Sequence, residues 1–130
     1  MGSRFTISQK KKLKPHLSFS FIMDINLESL NWVIENKEKL EEQNVTIYYF
    51  SLTTCPHCKK GIKWLLERKV GFKWLYLDKL PLAMKNSLKK WIQAKYDLPT
   101  RMGTPFVIFR KNQKEFISNG YDPSYWASKI

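Results

Sequence analysis

Apolar residues recur along this chain with two periods. Val45-Thr46-Ile47-Tyr48-Tyr49-Phe50 is β-branched and aromatic throughout, the pattern of a buried strand. Residues 56–69 switch to helical spacing. Pro56 suits the first turn, Ile62, Leu65 and Leu66 form one apolar stripe, and Gly71 ends the segment. Phe72–Leu77 reads as a second strand. Pro81 opens another helix, with Met84, Leu88, Trp91 and Ile92 facing inward. A loop over 97–103 leads to strands at 106–109 and 115–118, joined by a tight hairpin connection at 111–114. Asp122-Pro123 then starts a last helix, Asp as N-cap and Pro at N1, with Trp126 and Ile130 one turn apart.

The order from residue 45 is therefore β-α-β-α-β-β-α. Strands separated by helices are expected to pair in parallel and the hairpin pair antiparallel. The result is an α/β fold with one mixed four-stranded sheet. Before it, residues 27–43 read as an added N-terminal helix: Asn26 caps, Glu28 sits in the first turn, and Leu30, Val33, Ile34 and Leu40 make the stripe. Three segments follow: a basic flexible tail (1–22), a helical extension (23–44) and the α/β domain (45–130).

Composition limits the function classes. The chain has 130 residues, 43% of them hydrophobic, which suits one globular domain with its own core. No apolar run approaches the ~18 residues of a membrane helix. The short apolar stretch 17–23 is a poor secretory leader. Met1-Gly2-Ser3-Arg4-Phe5-Thr6 fits a myristoylation pattern only formally, so membrane anchoring is not expected. A cytoplasmic setting is the expectation.

Net charge is +12 and uneven. The first 22 residues hold five Lys/Arg and no acid, residues 23–44 two lysines against six acids, and residues 45–130 sixteen Lys/Arg against five acids. Such a domain attracts anionic partners. Lys59, Lys60 and Lys63 form a solvated helix face that can also steer anionic substrates. Trp64, Trp74, Trp91 and Trp126 read as packing residues rather than a nucleic-acid stacking surface, so no specific nucleic-acid partner is expected.

The chemistry rests on Cys55-Pro56-His57-Cys58, which holds both cysteines of the chain at a strand-to-helix junction. At a helix start, unpaired N–H groups and the helix dipole stabilise a thiolate. One CxxC is a weak staple, and with two histidines the chain is short of ligands for a metal site of its own. Thiol–disulfide exchange is the resulting reading: Cys55 attacks a substrate disulfide and Cys58 resolves the mixed disulfide. Pro56 fixes the turn, and His57 lies beside the sulfurs. Two alternatives remain open: a module whose CxxC pairs share zinc or an iron–sulfur cluster between two chains, and an exported thiol oxidant.

Cys-Pro-His-Cys after the first strand, Thr104-Pro105 before the third, and Gly120-Tyr121-Asp122 before the last helix together resemble the glutaredoxin family of the thioredoxin-like fold, over residues 45–130. The resemblance implies a redox-active centre serving electron transport and cell redox homeostasis. It implies a cis Pro105 packed on the cysteine pair, with the Thr104 backbone pairing with substrate. Tyr121, Asp122 and Arg101 are then substrate-binding residues. Protein disulfides and glutathione mixed disulfides are the expected partners, with glutathione as co-substrate, no bound cofactor or metal, and a monomer. Leu52 stands where the family commonly has lysine, and Gly103 departs from its usual Thr-Val-Pro.

Overall fold

A computed structural model describes residues 4–7 and 25–130 of the chain. The strands are β1 (Arg4–Ile7), β2 (Val33–Glu35), β3 (Val45–Ser51), β4 (Phe72–Tyr76), β5 (Phe106–Lys111) and β6 (Lys114–Asn119). The α-helices are α1 (Lys37–Glu42), α2 (Pro56–Glu67), α3 (Leu82–Lys95) and α4 (Pro123–Ala127), with 3-10 turns at Leu27–Ser29 and Leu77–Lys79. One mixed sheet runs in the order β1-β6-β5-β3-β4-β2. Its four central strands and the α2, α3 and α4 helices are the elements the apolar periods predict.

Four features differ from the sequence expectations. First, the sheet gains a strand at each edge: β1 pairs antiparallel with β6, and β2 antiparallel with β4. Residues 4–7 therefore belong to the sheet rather than to a flexible tail. The rest of the 1–22 reading, the leader and myristoylation motifs included, falls largely outside the described residues.

Second, the helix expected over 27–43 is broken, and α1 is its only α-helical part. β-Branched Val33 and Ile34 pair with the open edge of β4. Trp32 packs its ring on Tyr48 and Phe50, and its indole N–H donates to the Leu27 carbonyl at 2.7 Å. Asn36, left-handed at φ 51°, then turns the chain into α1.

Third, β3 and β4 are parallel, but β5 runs antiparallel to β3, so α3 does not link hydrogen-bonded parallel neighbours.

Fourth, α2 ends before Gly71. Lys69 takes the left-handed conformation (φ 59°), and its N–H bonds the Leu66 carbonyl. Gly71 serves close approach instead. A Cβ there would lie 2.6 Å from the Leu40 Cα, and the Gln43 amide clamps both its N–H and its carbonyl.

Alternation along β3 divides the core between the two sheet faces. Tyr48 and Phe50 join Leu88, Trp91 and Ile92 of α3, together with Leu27 of the extension. Ile47 and Tyr49 join Leu65 of α2 and Trp126 of α4 on the other face. Trp91 and Trp126 are buried, and Trp64 and Trp74 half-buried against the core, which fits the packing reading. Leu66 and Met84 do not join the core. Both are exposed: Leu66 falls off the inward arc of α2, and Met84 shares the face of Leu88 and Trp91 but lies in the first turn of α3.

Candidate active site

The cysteine pair lies where β3 runs out. After Ser51 the chain turns, and the Cys55 N–H closes the turn on the Leu52 carbonyl at 3.3 Å. The same turn is held from the neighbouring parallel strand. The Asp78 carboxylate, just past β4, accepts from the Thr53 backbone N–H at 3.1 Å and from its hydroxyl. The hydroxyl bond foremost, with the backbone bond, holds the Asp78 carboxyl below its usual value.

Cys55 is the N-cap of α2 (φ −102°, ψ 108°), and Pro56 is the first helical residue. The Cys55 Sγ accepts from the Cys58 N–H at 3.2 Å. The sulfur thus occupies the place of a capping oxygen, against the positive end of the helix. Cys55 is half-exposed, whereas Cys58, one turn later, is fully buried. The two are joined as a disulfide with Cα atoms 5.2 Å apart.

The helix is anchored beneath them. The buried Tyr49 hydroxyl donates to the Cys58 carbonyl at 2.7 Å, and Trp126 stands edge-on to the Tyr49 ring. Gly61 makes this packing possible, because a Cβ there would lie 2.8 Å from the Trp126 ring and in hard contact with the Tyr49 oxygen.

The second wall is the segment before β5. The Thr104-Pro105 peptide is cis, as the resemblance implies, and Pro105 is buried. The Thr104 hydroxyl lies 3.6 Å from the Cys55 Sγ and its carbonyl oxygen 3.8 Å. A reduced Cys55 thiol can donate to that carbonyl, and a thiolate can accept from that hydroxyl. Side chains from two elements brace the loop. Asn119 accepts from the Gly103 N–H at 2.6 Å and donates to the Arg101 carbonyl, and Gln93 accepts from the Met102 N–H at 3.0 Å. The Gly120 N–H caps the Pro105 carbonyl at 2.8 Å.

The remaining expected site residues are placed unequally. His57 is exposed and stacks on Tyr121, ring centroids 6.1 Å apart and planes 22° from parallel. Tyr121 stands edge-on to Trp126, so it links His57 to the core. Asp122 is buried at 2% exposure and caps α4, accepting from the Tyr125 N–H at 3.4 Å. Arg101 is exposed, three residues before Thr104. The structure thus gathers Cys55, Pro56, Cys58, Thr104 and Pro105, sets His57 and Tyr121 beside them, and gives Asp122 a capping role inside the fold.

Sequence reasoning passes over Tyr49, Gly61, Asp78, Gln93 and Asn119. Each acts on the site across the fold, and none stands in a local motif. The glycine inside the apolar stripe of α2 is the one sequence signal available, since such a glycine often marks close packing.

No protein-family model matches the chain, and no curated protein does either. Solved structures do. The methanoredoxin of Methanosarcina acetivorans is 21% identical with a TM-score of 0.54, over 65% of this chain and 83% of that one. A glutaredoxin from Archaeoglobus fulgidus is 25% identical with a TM-score of 0.50, over 74% and 95%. A glutaredoxin from Methanosarcina mazei Go1 is 17% identical with a TM-score of 0.55, over 80% and 93%. The chain has a glutaredoxin-like, thioredoxin-type fold with a CxxC pair at disulfide distance, the general class of thiol–disulfide oxidoreductases. No helix among the described residues is long and apolar enough to cross a membrane.

Proposed function

We propose that the protein is a dithiol–disulfide oxidoreductase that reduces protein disulfides and glutathione mixed disulfides, with Cys55 as nucleophile and Cys58 as resolving thiol. One observation carries the reading: the half-exposed Cys55 sulfur caps α2, while Cys58 is fully buried behind it. Substrate can reach the first sulfur and only the mixed disulfide can reach the second.

The Cys55 thiolate attacks one substrate sulfur, forms a mixed disulfide and expels the other sulfur as a thiolate, which takes up a proton. Cys58 then loses its proton and attacks the Cys55 sulfur. The second substrate thiol leaves, and two electrons and two protons have passed to the substrate. The Cys58 N–H and the Thr104 hydroxyl stabilise the attacking thiolate, and the cis Thr104-Pro105 segment shapes the groove. Glutathione is the proposed co-substrate, no bound cofactor takes part, and the protein works as a monomer.

Insulin reduction and deglutathionylation assays test this. Cys55→Ser should abolish both, and Cys58→Ser should accumulate a mixed disulfide visible by mass spectrometry. Wild-type rates in Cys55→Ser would end the mechanism.

A further inference from the structure

The β3–β4 pair is parallel and in register at Ser51 opposite Tyr76, so both strands finish at the same edge of the sheet. One continues into the cysteine turn, the other through Asp78 into α3. The Thr53–Asp78 hydrogen bonds tie the two exits together. Cys55 lies two positions beyond Thr53 and Leu82 four positions beyond Asp78, spans of at most about 7 and 14 Å.

The start of α3 is unlike a helix start that only has to fold. Pro81 supplies no side-chain cap, and the first turn holds no acid. Pro81, Leu82, Ala83 and Met84 are instead all exposed, Leu82 at 68% and Met84 at 46%. Four consecutive exposed apolar residues gain nothing for the fold and mark a surface with another use. Leu52 beside the cysteine turn, Leu80 before α3 and Met102 before the cis peptide are half-buried and pack on the same core cluster.

Charge around this strip is mostly positive, apart from the exposed, ionised Asp78. Lys79 precedes α3, and α3 carries Lys85, Lys89, Lys90 and Lys95 with no acid. Lys59 and Lys60 are exposed on the first turns of α2. Asp78, the acid at this edge, is engaged by Thr53.

We infer that the Leu82–Met84 run is a docking platform for protein substrates whose reactive disulfide is flanked by apolar and acidic residues. The inference rests on the exchange activity proposed above. A protein burying about 800 Å² has a footprint roughly 30 Å across, wider than the about 24 Å of chain and hydrogen bond that at most separate Cys55 from Leu82, so one partner can cover both. A small disulfide at Cys55 does not reach it.

The test is single-turnover oxidation of the fully reduced full chain, which is itself the two-electron reductant. Three disulfides serve as probes: hydroxyethyl disulfide, and the symmetric disulfides of two peptides of equal negative charge with a central Cys and about seven residues on each side, a reach of about 24 Å, the flanks built of Leu, Phe and Glu in one and of Ser and Glu in the other. The wild type should react on the order of tenfold faster with the apolar peptide than with the polar one. L82S/M84S should lose most of that preference and keep its hydroxyethyl disulfide rate within about twofold, which also shows that the variant is folded. Equal wild-type rates with both peptides, or a preference that survives in L82S/M84S, overturn the platform. Wild-type self-association that L82S/M84S abolishes, with peptide preference intact, also overturns it and gives the run to a second copy of the chain. No reaction with hydroxyethyl disulfide even by wild type overturns the exchange activity instead.

Discussion

Gly61→Ala sets helix propensity against packing, and the structure decides between them. On propensity alone, alanine in the middle of α2 should stabilise by about 0.8–1.0 kcal/mol. The Cβ, however, would enter the space of the buried Tyr49 hydroxyl and lie 2.8 and 3.1 Å from two carbons of the buried Trp126 ring. Neither side chain can swing away. Tyr49 is held by its bond to the Cys58 carbonyl, and Trp126 by edge-on contacts with Tyr49, Trp64 and Tyr121. Overpacking of this kind costs about 3 kcal/mol, so the net expectation is a loss of about 2 kcal/mol. In a domain of this size that corresponds to a Tm lowered by roughly 8 °C. Tyr49→Phe alone loses a buried hydrogen bond, about 1 kcal/mol. In the double variant the worst contact disappears with the hydroxyl, so the combined loss should fall short of the sum by about 1 kcal/mol. Urea unfolding of the four proteins, read as midpoints at constant slope, measures the cycle. A Gly61→Ala protein as stable as its parent, or strict additivity with Tyr49→Phe, refutes the packing account.

Thr104→Val should slow the single-turnover reaction of reduced protein with hydroxyethyl disulfide by roughly tenfold through loss of the hydroxyl that faces the Cys55 sulfur, and Thr104→Ser should restore it; an unchanged rate in the Val variant removes the hydroxyl from the thiolate's support. Asp78 is held below the usual aspartate range by the Thr53 bonds. Its contribution to stability is therefore complete above the unfolded value and is lost as pH falls through the folded one. Stability of Asp78→Asn should consequently fall less steeply than that of the parent between about pH 5 and pH 3, as seen in urea midpoints; parallel acid limbs would deny the carboxylate that role. Removing residues 1–44 strips Leu27 and Trp32 from Tyr48 and Phe50. It should cost about 4–5 kcal/mol, a large share of a typical domain's total, and an unchanged urea midpoint would show that the extension is an appendage after all.

What the sequence made legible follows the range of the forces involved. Period-2 and period-3.6 patterns are local, and they locate β3, α2, α3 and the β5–β6 hairpin. The CxxC and Thr104-Pro105 are also local signals, each a short motif at an element boundary. Residues 27–43 failed because their helical spacing is real but weaker than what the sheet offers: an open edge on β4 for Val33 and Ile34, and an aromatic hollow for Trp32. Leu66 and Met84 satisfy a count of helical apolar positions, yet Leu66 lies off the inward arc and Met84 in a first turn that the core does not reach, which only the docked helices define. The Thr53–Asp78 and Tyr49–Cys58 contacts join residues 25 and 9 positions apart, and no pattern in the intervening sequence announces them.

The extension also changes what the charge of the domain means. Its acids do not spread evenly over the sixteen cations that follow. Glu28 pairs with Lys73 at 2.7 Å, receives the Tyr48 hydroxyl and lies 3.7 Å from Arg110, while Glu35 accepts from the Trp74 indole at 3.1 Å. Partial burial works to raise the Glu28 carboxyl, and the Lys73 and Tyr48 bonds outweigh it, so the group stays ionised. Arg110 is further engaged by Glu115 at 2.8 Å. The negative charge of Glu28 is thus used on cations of β4 and β5. Exposed charges couple only over about 8–10 Å at physiological ionic strength, so this neutralisation is local. The lysines of α2 and the start of α3 keep their field, and it lies at the sheet edge where Cys55 opens to solvent. The extension braces one face of the sheet and adds β2 to one side of it, while residues 4–7 add β1 to the other. The cationic field and the exposed apolar run are then left together at the edge where a substrate would approach.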